Sequence, residues 1–304
     1  MSVLKPNFGA QLGAYKSAID ADIAVYAAHV RRVTAEQYGE HPSCVTNEYL
    51  GLLERGGKRI RGALTIAGYE MLGGRDMQMI TRAATAMEML HAAMLIIDDI
   101  QDQDVVRRGK PAAHVALAEY HKKLKMKGSP AVTGVSLALN ASLAGSHAAQ
   151  MLLAGLSADP QLKVNVLGIV NHTIMQTLHG QTYDVINAGL EHPEPEDLAR
   201  ATEWKSAHYT FLNPLCVGMV LAGAGCEDTD AIRDYALNTG IAFQLADDLM
   251  DGDVKPADAA ATRKRADGHM QRAIASLDAE QRPWHEKQVA FLRGLARYVT
   301  IRTD

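Results

Sequence analysis

Two runs of aspartate carry the clearest chemistry in this chain. In Asp98-Asp99-Ile100-Gln101-Asp102, and again in Asp247-Asp248-Leu249-Met250-Asp251, an adjacent pair of carboxylates is followed by a third. On a helix, Asp98 and Asp102 share a face one turn apart, and so do Asp247 and Asp251. Carboxylates held so close raise one another's pKa unless a cation compensates. A hard ion such as Mg2+ suits this, because it takes oxygen ligands, keeps several waters and bridges to phosphate oxygens. A solvated acidic helix end is the plain alternative for one cluster. Two clusters, each at the end of an apolar helical run, require that coincidence twice. Two such carboxylate helices facing one another would bracket a diphosphate through several metal ions.

Basic residues complete the set. Gly56-Gly57-Lys58-Arg59-Ile60-Arg61 places Lys58 and Arg61 three apart on one helical face, and Arg107-Arg108-Gly109-Lys110 follows the first aspartate cluster. Arg binds phosphate oxygens in two-pronged fashion and Lys acts as a point charge. The Gly-Gly-Lys run is not a nucleotide P-loop, since G-x-x-x-x-G-K-[ST] occurs nowhere in the chain. Metal binding through histidines has weaker support: His172 and His179 are seven apart and could share a face, but no H-E-x-x-H appears.

The elements that must position these groups read as helices. Ile80, Ala83, Met87, Leu90, Met94 and Ile97 recur by threes and fours, the spacing of one buried helix face. Strand-like alternation is almost absent and aromatics are only 5% of the chain, so the fold class predicted is all-α. Breaks fall at Gly73-Gly74, Gly128-Ser129-Pro130, Asp159-Pro160, Pro193 to Pro195, Gly223 to Gly225 and Gly252 to Pro256, separating roughly ten helices. None resembles a flexible linker and no internal period repeats, so residues 1–304 read as one domain. Val135 to Leu156 and Ala231 to Leu249 are apolar on most sides and are expected to be central helices.

With 304 residues, 47% hydrophobic and 22% charged, and a net charge of -4, the chain reads as an ordinary soluble globular protein with no bulk attraction to nucleic acid or anionic membrane. Cys44, Cys216 and Cys226 lack C-x-x-C spacing and fit a reducing compartment, the cytoplasm by default. No secretory signal is evident at the N-terminus. The most apolar region, Val132 to Leu156, is interrupted by Ser136, Asn140, Ser142, Ser146, His147 and Gln150, so no transmembrane segment is expected.

Taken together, the motifs resemble the trans-isoprenyl diphosphate synthases, or polyprenyl synthetases, and are geranylgeranyl diphosphate synthase-like. The matching residues are Gly57 to Arg61; Glu88-x-x-His91; Asp98-Asp99-x-x-Asp102 with Arg107-Arg108-Gly109-Lys110-Pro111; Gly180-Gln181-x-x-Asp184; Lys205-Ser206; and Phe243-Gln244-x-x-Asp247-Asp248-x-x-Asp251. They keep the family's order and approximate spacing. The resemblance implies an isoprenoid synthase type bundle of ten or more helices around a central cavity, and a homodimer. It implies condensation of an allylic diphosphate with isopentenyl diphosphate, assisted by three Mg2+ ions per site.

By the same resemblance, Asp98, Asp102 and Asp247 are the principal Mg2+ ligands, with Asp99, Asp248 and Asp251 in support. Arg107, Lys205 and Gln244 contact the allylic diphosphate. Lys58, Arg61, His91 and Arg108 form the pocket for isopentenyl diphosphate, and Ser206 stands beside the forming carbocation. Ionisation of the allylic diphosphate is then mainly electrostatic catalysis.

Beyond Asp251 the chain departs from the family, which continues through a loop with a Gly-Lys pair and a further lysine-bearing helix. Here Gly252-Asp253-Val254-Lys255-Pro256 leads straight into what resembles the late helices. Either the loop and helix are deleted, or a segment is absent from the numbered chain. Lys255 or Arg263-Lys264-Arg265 are the cations available to substitute.

Four and five residues before Asp98 stand Met94 and Ala93, about 6 to 7.5 Å deeper at 1.5 Å per residue. In the resembled family bulky aromatics here stop growth early. Ala93 therefore argues for a product of twenty carbons or longer, with Met94 as a partial floor and Leu139 and Leu143 as further candidates. The competing readings are a class I terpene cyclase or head-to-head synthase, which would not need Lys58, Arg61 and Arg108 as a second diphosphate pocket, and a noncatalytic partner subunit.

Overall fold

The computed structural model describes residues 6–252 and 254–301, with side chains from Phe8 onward; Asp253 lies outside the described residues. The described chain is all-α apart from one small hairpin. Its α-helices are α1 (Pro6–Tyr38), α2 (Glu40–Glu54), α3 (Ile60–Met71), α4 (Met77–Gln101), α5 (Ala113–Lys123), α6 (Pro130–Ala154) and α7 (Pro160–Ala188), followed by α8 (Pro195–Ala201), α9 (Asn213–Leu221), α10 (Cys226–Ala231), α11 (Arg233–Asp251), α12 (Ala259–Ala279) and α13 (Glu286–Ile301). Between α8 and α9, Thr202–Leu212 winds as a π-helix. The punctuation works as its chemistry demands. Asp159 caps α7 by accepting from the Gln161 amide at 2.8 Å, with Pro160 at the first helical position. Gly252, at φ 82°, closes α11 in the left-handed region.

The chain forms two compact units. One contains Lys16–Gly62 and Thr81–Leu156; the other contains the chain up to Tyr15, Ala63–Ile80 and everything from Ser157 onward. In the first unit, α6 lies against α2 and α5 through small residues. A side chain at Gly134 would meet the His114 carbonyl at 2.2 Å, and one at Gly145 would meet the Tyr49 ring at 2.2 Å. In the second unit, α7 and α11 pack on the π-helix and α12 folds back along α11, with His269 hydrogen-bonded to Asn238 at 2.9 Å. Phe8 stacks on Phe291 and lies tilted against Tyr298 where α1 meets α13.

Two expectations about helix faces need correction. In α4, Ile80, Ala83, Met87 and Leu90 are buried as expected, but so are Ala84, Ala86 and Met89, so the helix is enclosed all round over this stretch. Met94 and Ile97 are half-buried. Among the described residues α4 is the helix long and apolar enough to cross a bilayer by length and composition, and 67% of that stretch is buried in the fold. Conversely, α6 is not enclosed. Its buried positions are mostly small, such as Ala138, Ala141, Ser142, Gly145 and Ala149, whereas Val132, Leu139, Leu143 and Met151 are exposed.

Candidate functional site

The first aspartate cluster sits where α4 runs out. The Asp102 amide donates to the Asp98 carbonyl at 2.9 Å, so the two carboxylates stand one helical turn apart on one side, Asp98 half-buried and Asp102 exposed. Asp99 points the other way and is 1% exposed. Its Oδ1 accepts from Arg107 Nε at 2.5 Å, while its Oδ2 is buried with no hydrogen-bond partner. Arg107 also reaches Asp104 at 2.7 Å and Asp98 at 3.7 Å. Burial lifts the Asp99 carboxyl above its ordinary pKa, against the pull of Arg107. Burial works against the Arg107 charge too, but Asp99 and then Asp98 and Asp104 outweigh it and raise that pKa. Arg107 is thus held by carboxylates, and Asp99 serves as its anchor.

Arg107 is placed by a hairpin that the apolar pattern did not announce. Val106–Arg107 (β1) pairs antiparallel with Lys110–Pro111 (β2), and the two residues of its turn, Arg108 and Gly109, have φ of 52° and 72°, the signs of a type I′ turn. Arg108 donates to the Gly56 carbonyl at 2.5 Å and the Leu52 carbonyl at 3.3 Å. The hairpin is therefore tied to the Gly-Gly-Lys loop, where a Cβ on Gly57 would sit 3.1 Å from the Arg108 guanidinium.

Lys58 and Arg61 do not share a helical face. Gly56, Gly57 and Arg59 all have positive φ, at 85°, 126° and 54°, so the backbone cannot be helical there and α3 begins only at Ile60. Lys58 precedes the helix and Arg61 lies in its first turn. The strained Arg59 is held by a buried ion pair with Glu88 at 3.5 Å and by Asp20 at 2.8 Å, while Glu88 also accepts from the Gly62 amide at 2.9 Å. Glu88 was visible in the sequence only as part of Glu-x-x-His; its work is to fix this loop. One helical turn on, the half-buried His91 has its pKa held well below the ordinary 6.5, first by burial and then by Arg61, Arg108, Arg59 and Arg107. The imidazole stays neutral amid four guanidinium groups.

The second unit builds its own cluster. Gln244 on α11 donates to Asp248 at 2.8 Å and accepts from Ser206 at 2.5 Å, joining α11 to the π-helix. Asp247 and Asp248 are half-buried, and Asp251 is exposed at the helix end. Lys205 is ion-paired with Asp184 of α7 at 2.6 Å, uniting the Lys-Ser and Gly-Gln-x-x-Asp motifs. The wide π-helix fits because its neighbours are glycines: a Cβ at Gly180 would lie 2.6 Å from the Lys205 amide nitrogen, and one at Gly240 would lie 2.4 Å from Ala207 Cα. Such π segments are frequent at functional sites.

The other sequence candidates fall out as follows. Ala93 is fully buried and its carbonyl accepts from Ser142 at 2.8 Å; Met94 is half-buried. Leu139 and Leu143 lie on the exposed side of α6. Arg263 donates to the Thr300 carbonyl at 2.8 Å, near the end of α13, which gives it a capping task. Lys264 and Arg265 are exposed. His172 and His179 are exposed, and among the described residues no three His, Cys, Asp or Glu side chains group as a ready-made metal cage. Mg2+ does not need one, since one or two carboxylates with substrate phosphates and waters suffice. The all-oxygen donors of Asp98 and Asp102, one turn apart and open to solvent on one side, fit that ion.

The sequence profile of the polyprenyl synthetase family matches residues 43–269, spanning both clusters and the short turn after Asp251. The chain belongs to the polyprenyl synthetase family. Among relatives, the mitochondrial geranylgeranyl pyrophosphate synthase 6 of Arabidopsis thaliana is 31% identical over 203 residues, 64% of this chain and 56% of that protein. The short chain isoprenyl diphosphate synthase of Methanocaldococcus jannaschii is 32% identical over 208 residues, 67% of this chain and 57% of that protein. These alignments therefore span little more than half of each relative's length. The polyprenyl synthetase fold is the same as that of a Corynebacterium glutamicum geranylgeranyl pyrophosphate synthase solved with isoprenyl diphosphate and magnesium, at TM-score 0.87 and 21% identity, covering 95% of this chain and 99% of that one.

Proposed function

We propose that this chain is an isoprenyl diphosphate synthase. It condenses an allylic diphosphate with isopentenyl diphosphate, head to tail, to a trans-polyprenyl diphosphate of geranylgeranyl length or longer. The observation that carries this reading is the pair of Asp-Asp-x-x-Asp clusters within one family match, the first with its one-turn carboxylate spacing and with Arg107 ion-paired to Asp99.

In this reading Asp98, Asp102 and Asp247 hold Mg2+, three ions per site, with Asp248 and Asp251 in support and Asp99 positioning Arg107. The bound metal would supply positive charge to a departing diphosphate. Arg107, Lys205 and Gln244 bind the allylic diphosphate. Lys205 exchanges Asp184 for phosphate oxygens. Lys58, Arg61 and Arg108, with neutral His91, hold isopentenyl diphosphate, and Ser206 stands beside the cation. The proton lost at the end goes to the released diphosphate.

The whole chain acts as one polyprenyl synthetase domain. It works as a homodimer in which the exposed Val132, Leu139, Leu143 and Met151 of α6 are covered. Three free cysteines suit a reducing compartment such as the cytoplasm, with neither a membrane nor nucleic acid as partner. The abrupt connection after Asp251 favours, as a second reading, a noncatalytic partner subunit.

The test is a metal titration of turnover in the wild type and in Asp98→Asn and Asp247→Asn. Turnover that requires Mg2+ and falls on the order of 100-fold in each variant supports the enzyme. A wild type without turnover that raises a partner synthase's activity supports the second reading.

A further inference from the structure

A cavity of about 300 Å3 lies within the second unit, at the small end of ligand-pocket sizes, roughly 300 to 1,000 Å3. Several elements converge on it: α7 through His172, Thr173 and Gln176, the π-helix through His208, α9 through Asn213, and the start of α11 through Arg233. Ile169 and Leu212 give it an apolar wall. None of the family motifs uses these residues.

Two features of the lining point to a ligand. Every charge-bearing group in it is basic, namely Arg233, His172 and His208. The carboxylates nearest them are not part of the lining: Arg233 meets Asp230 at 3.4 Å across side chains 49% and 68% exposed, and His208 meets Glu203 at 3.2 Å. An exposed pair such as Arg233 with Asp230 binds weakly and leaves the guanidinium available. Burial first, and also the nearness of Arg233 and His172, hold His208 below its ordinary pKa against the raising effect of Glu203. The second feature is Asn213. It is 4% exposed, and its Oδ1 is buried without a hydrogen-bond partner. A buried acceptor left so demands a donor, and Asn213 lines the cavity.

We propose that this cavity binds a small hydroxylated organic anion, with its anionic end on Arg233, His172 and His208 and a hydroxyl donating to Asn213 Oδ1. A phosphate ester and a hydroxy acid share that chemistry. The site is separate in its residues from those assigned to prenyl transfer, yet it sits on the helix that carries Lys205 and Ser206 three and two residues before His208. A ligand there restrains the π-helix, and with it those two side chains.

The test is a titration of the full chain without Mg2+ or prenyl substrates, read by NMR at the imidazoles of His172, His208 and His91. The probes are glycerol 3-phosphate, lactate and inorganic phosphate. The expected result is a saturable shift of His172 and His208, with His91 unmoved, for one of the two hydroxylated probes, which identifies the anion type. Inorganic phosphate, lacking a hydroxyl-bearing carbon arm, binds about tenfold more weakly, and Arg233→Gln and Gln176→Glu each weaken the preferred probe about tenfold. No saturable shift with either hydroxylated probe, equal binding of inorganic phosphate, or unchanged binding in both variants overturns the proposal. Because no step of prenyl transfer enters the readout, the result stands apart from the fate of the synthase reading.

Discussion

Arg59 and Glu88 meet in the interior, with guanidinium and carboxylate 3.5 Å apart and their side chains 2% and 3% exposed. The pair keeps Arg59 at φ 54° and so sets the course of the loop between Lys58 and Arg61. Breaking one partner of a buried pair leaves the other charge stranded. Glu88→Ala is expected to lose about 3 kcal/mol in urea unfolding, tempered by Asp20, which also holds Arg59. A loss under about 0.5 kcal/mol, the usual range of a surface substitution, would show that the pair does not secure the loop.

Gly180 and Gly240 let α7 and α11 close on the π-helix. Gly180→Ala and Gly240→Ala force a methyl to within 2.6 Å of a backbone nitrogen and 2.4 Å of a Cα. Each is expected to cost about 1–3 kcal/mol and to lower turnover by displacing Lys205 and Ser206. Gly168 on the same α7 has nothing within 4 Å of its added methyl, so Gly168→Ala gains roughly 0.5–1 kcal/mol. Equal thermal shifts for Gly180→Ala and Gly168→Ala would refute the close-approach argument.

His91 makes stability depend on acid. Its folded pKa lies well below the ordinary 6.5, so between those two values the unfolded chain binds more protons. The stability due to this group is complete above pH 6.5 and is lost as pH falls toward the depressed folded value. Urea unfolding at a series of pH values should show that decline, with a shallower slope in His91→Asn. Identical slopes in the two proteins would mean that His91 is not held neutral.

Chain length offers a test of the pocket floor. Met94 is half-buried and Met94→Phe is expected to shorten the product with little loss of stability. Ala93 is fully buried, so Ala93→Phe should shorten the product but also cost about 1–3 kcal/mol through overpacking. Chromatography of the hydrolysed products reads both; an unchanged profile in both variants removes these residues from the floor.

What was legible in the sequence was local. Helical periodicity, the breaks at Gly and Pro and the one-turn spacing of Asp98 and Asp102 all depend on neighbours within a few residues, and the structure keeps them. What was hidden depends on distant partners. Lys58 leaves the helix because Arg59 is held by Glu88, far along the chain on α4. The apolar run of α6 could not reveal which side faces the core, because its buried side is made of Ala, Ser and Gly and its large residues face outward. The π-helix differs from an α-helix only in its hydrogen-bond step, and its signal lay in the glycines of other helices. Arg263 reads as free surface charge until α13 brings the Thr300 carbonyl to it.

The most direct measurement is product analysis of the purified protein given dimethylallyl, geranyl or farnesyl diphosphate and Mg2+, with and without isopentenyl diphosphate. Extension to a prenyl diphosphate of twenty carbons or more, only when isopentenyl diphosphate is present, is the predicted result. Consumption of the allylic diphosphate without isopentenyl diphosphate, or no extension of any of the three, would contradict the account.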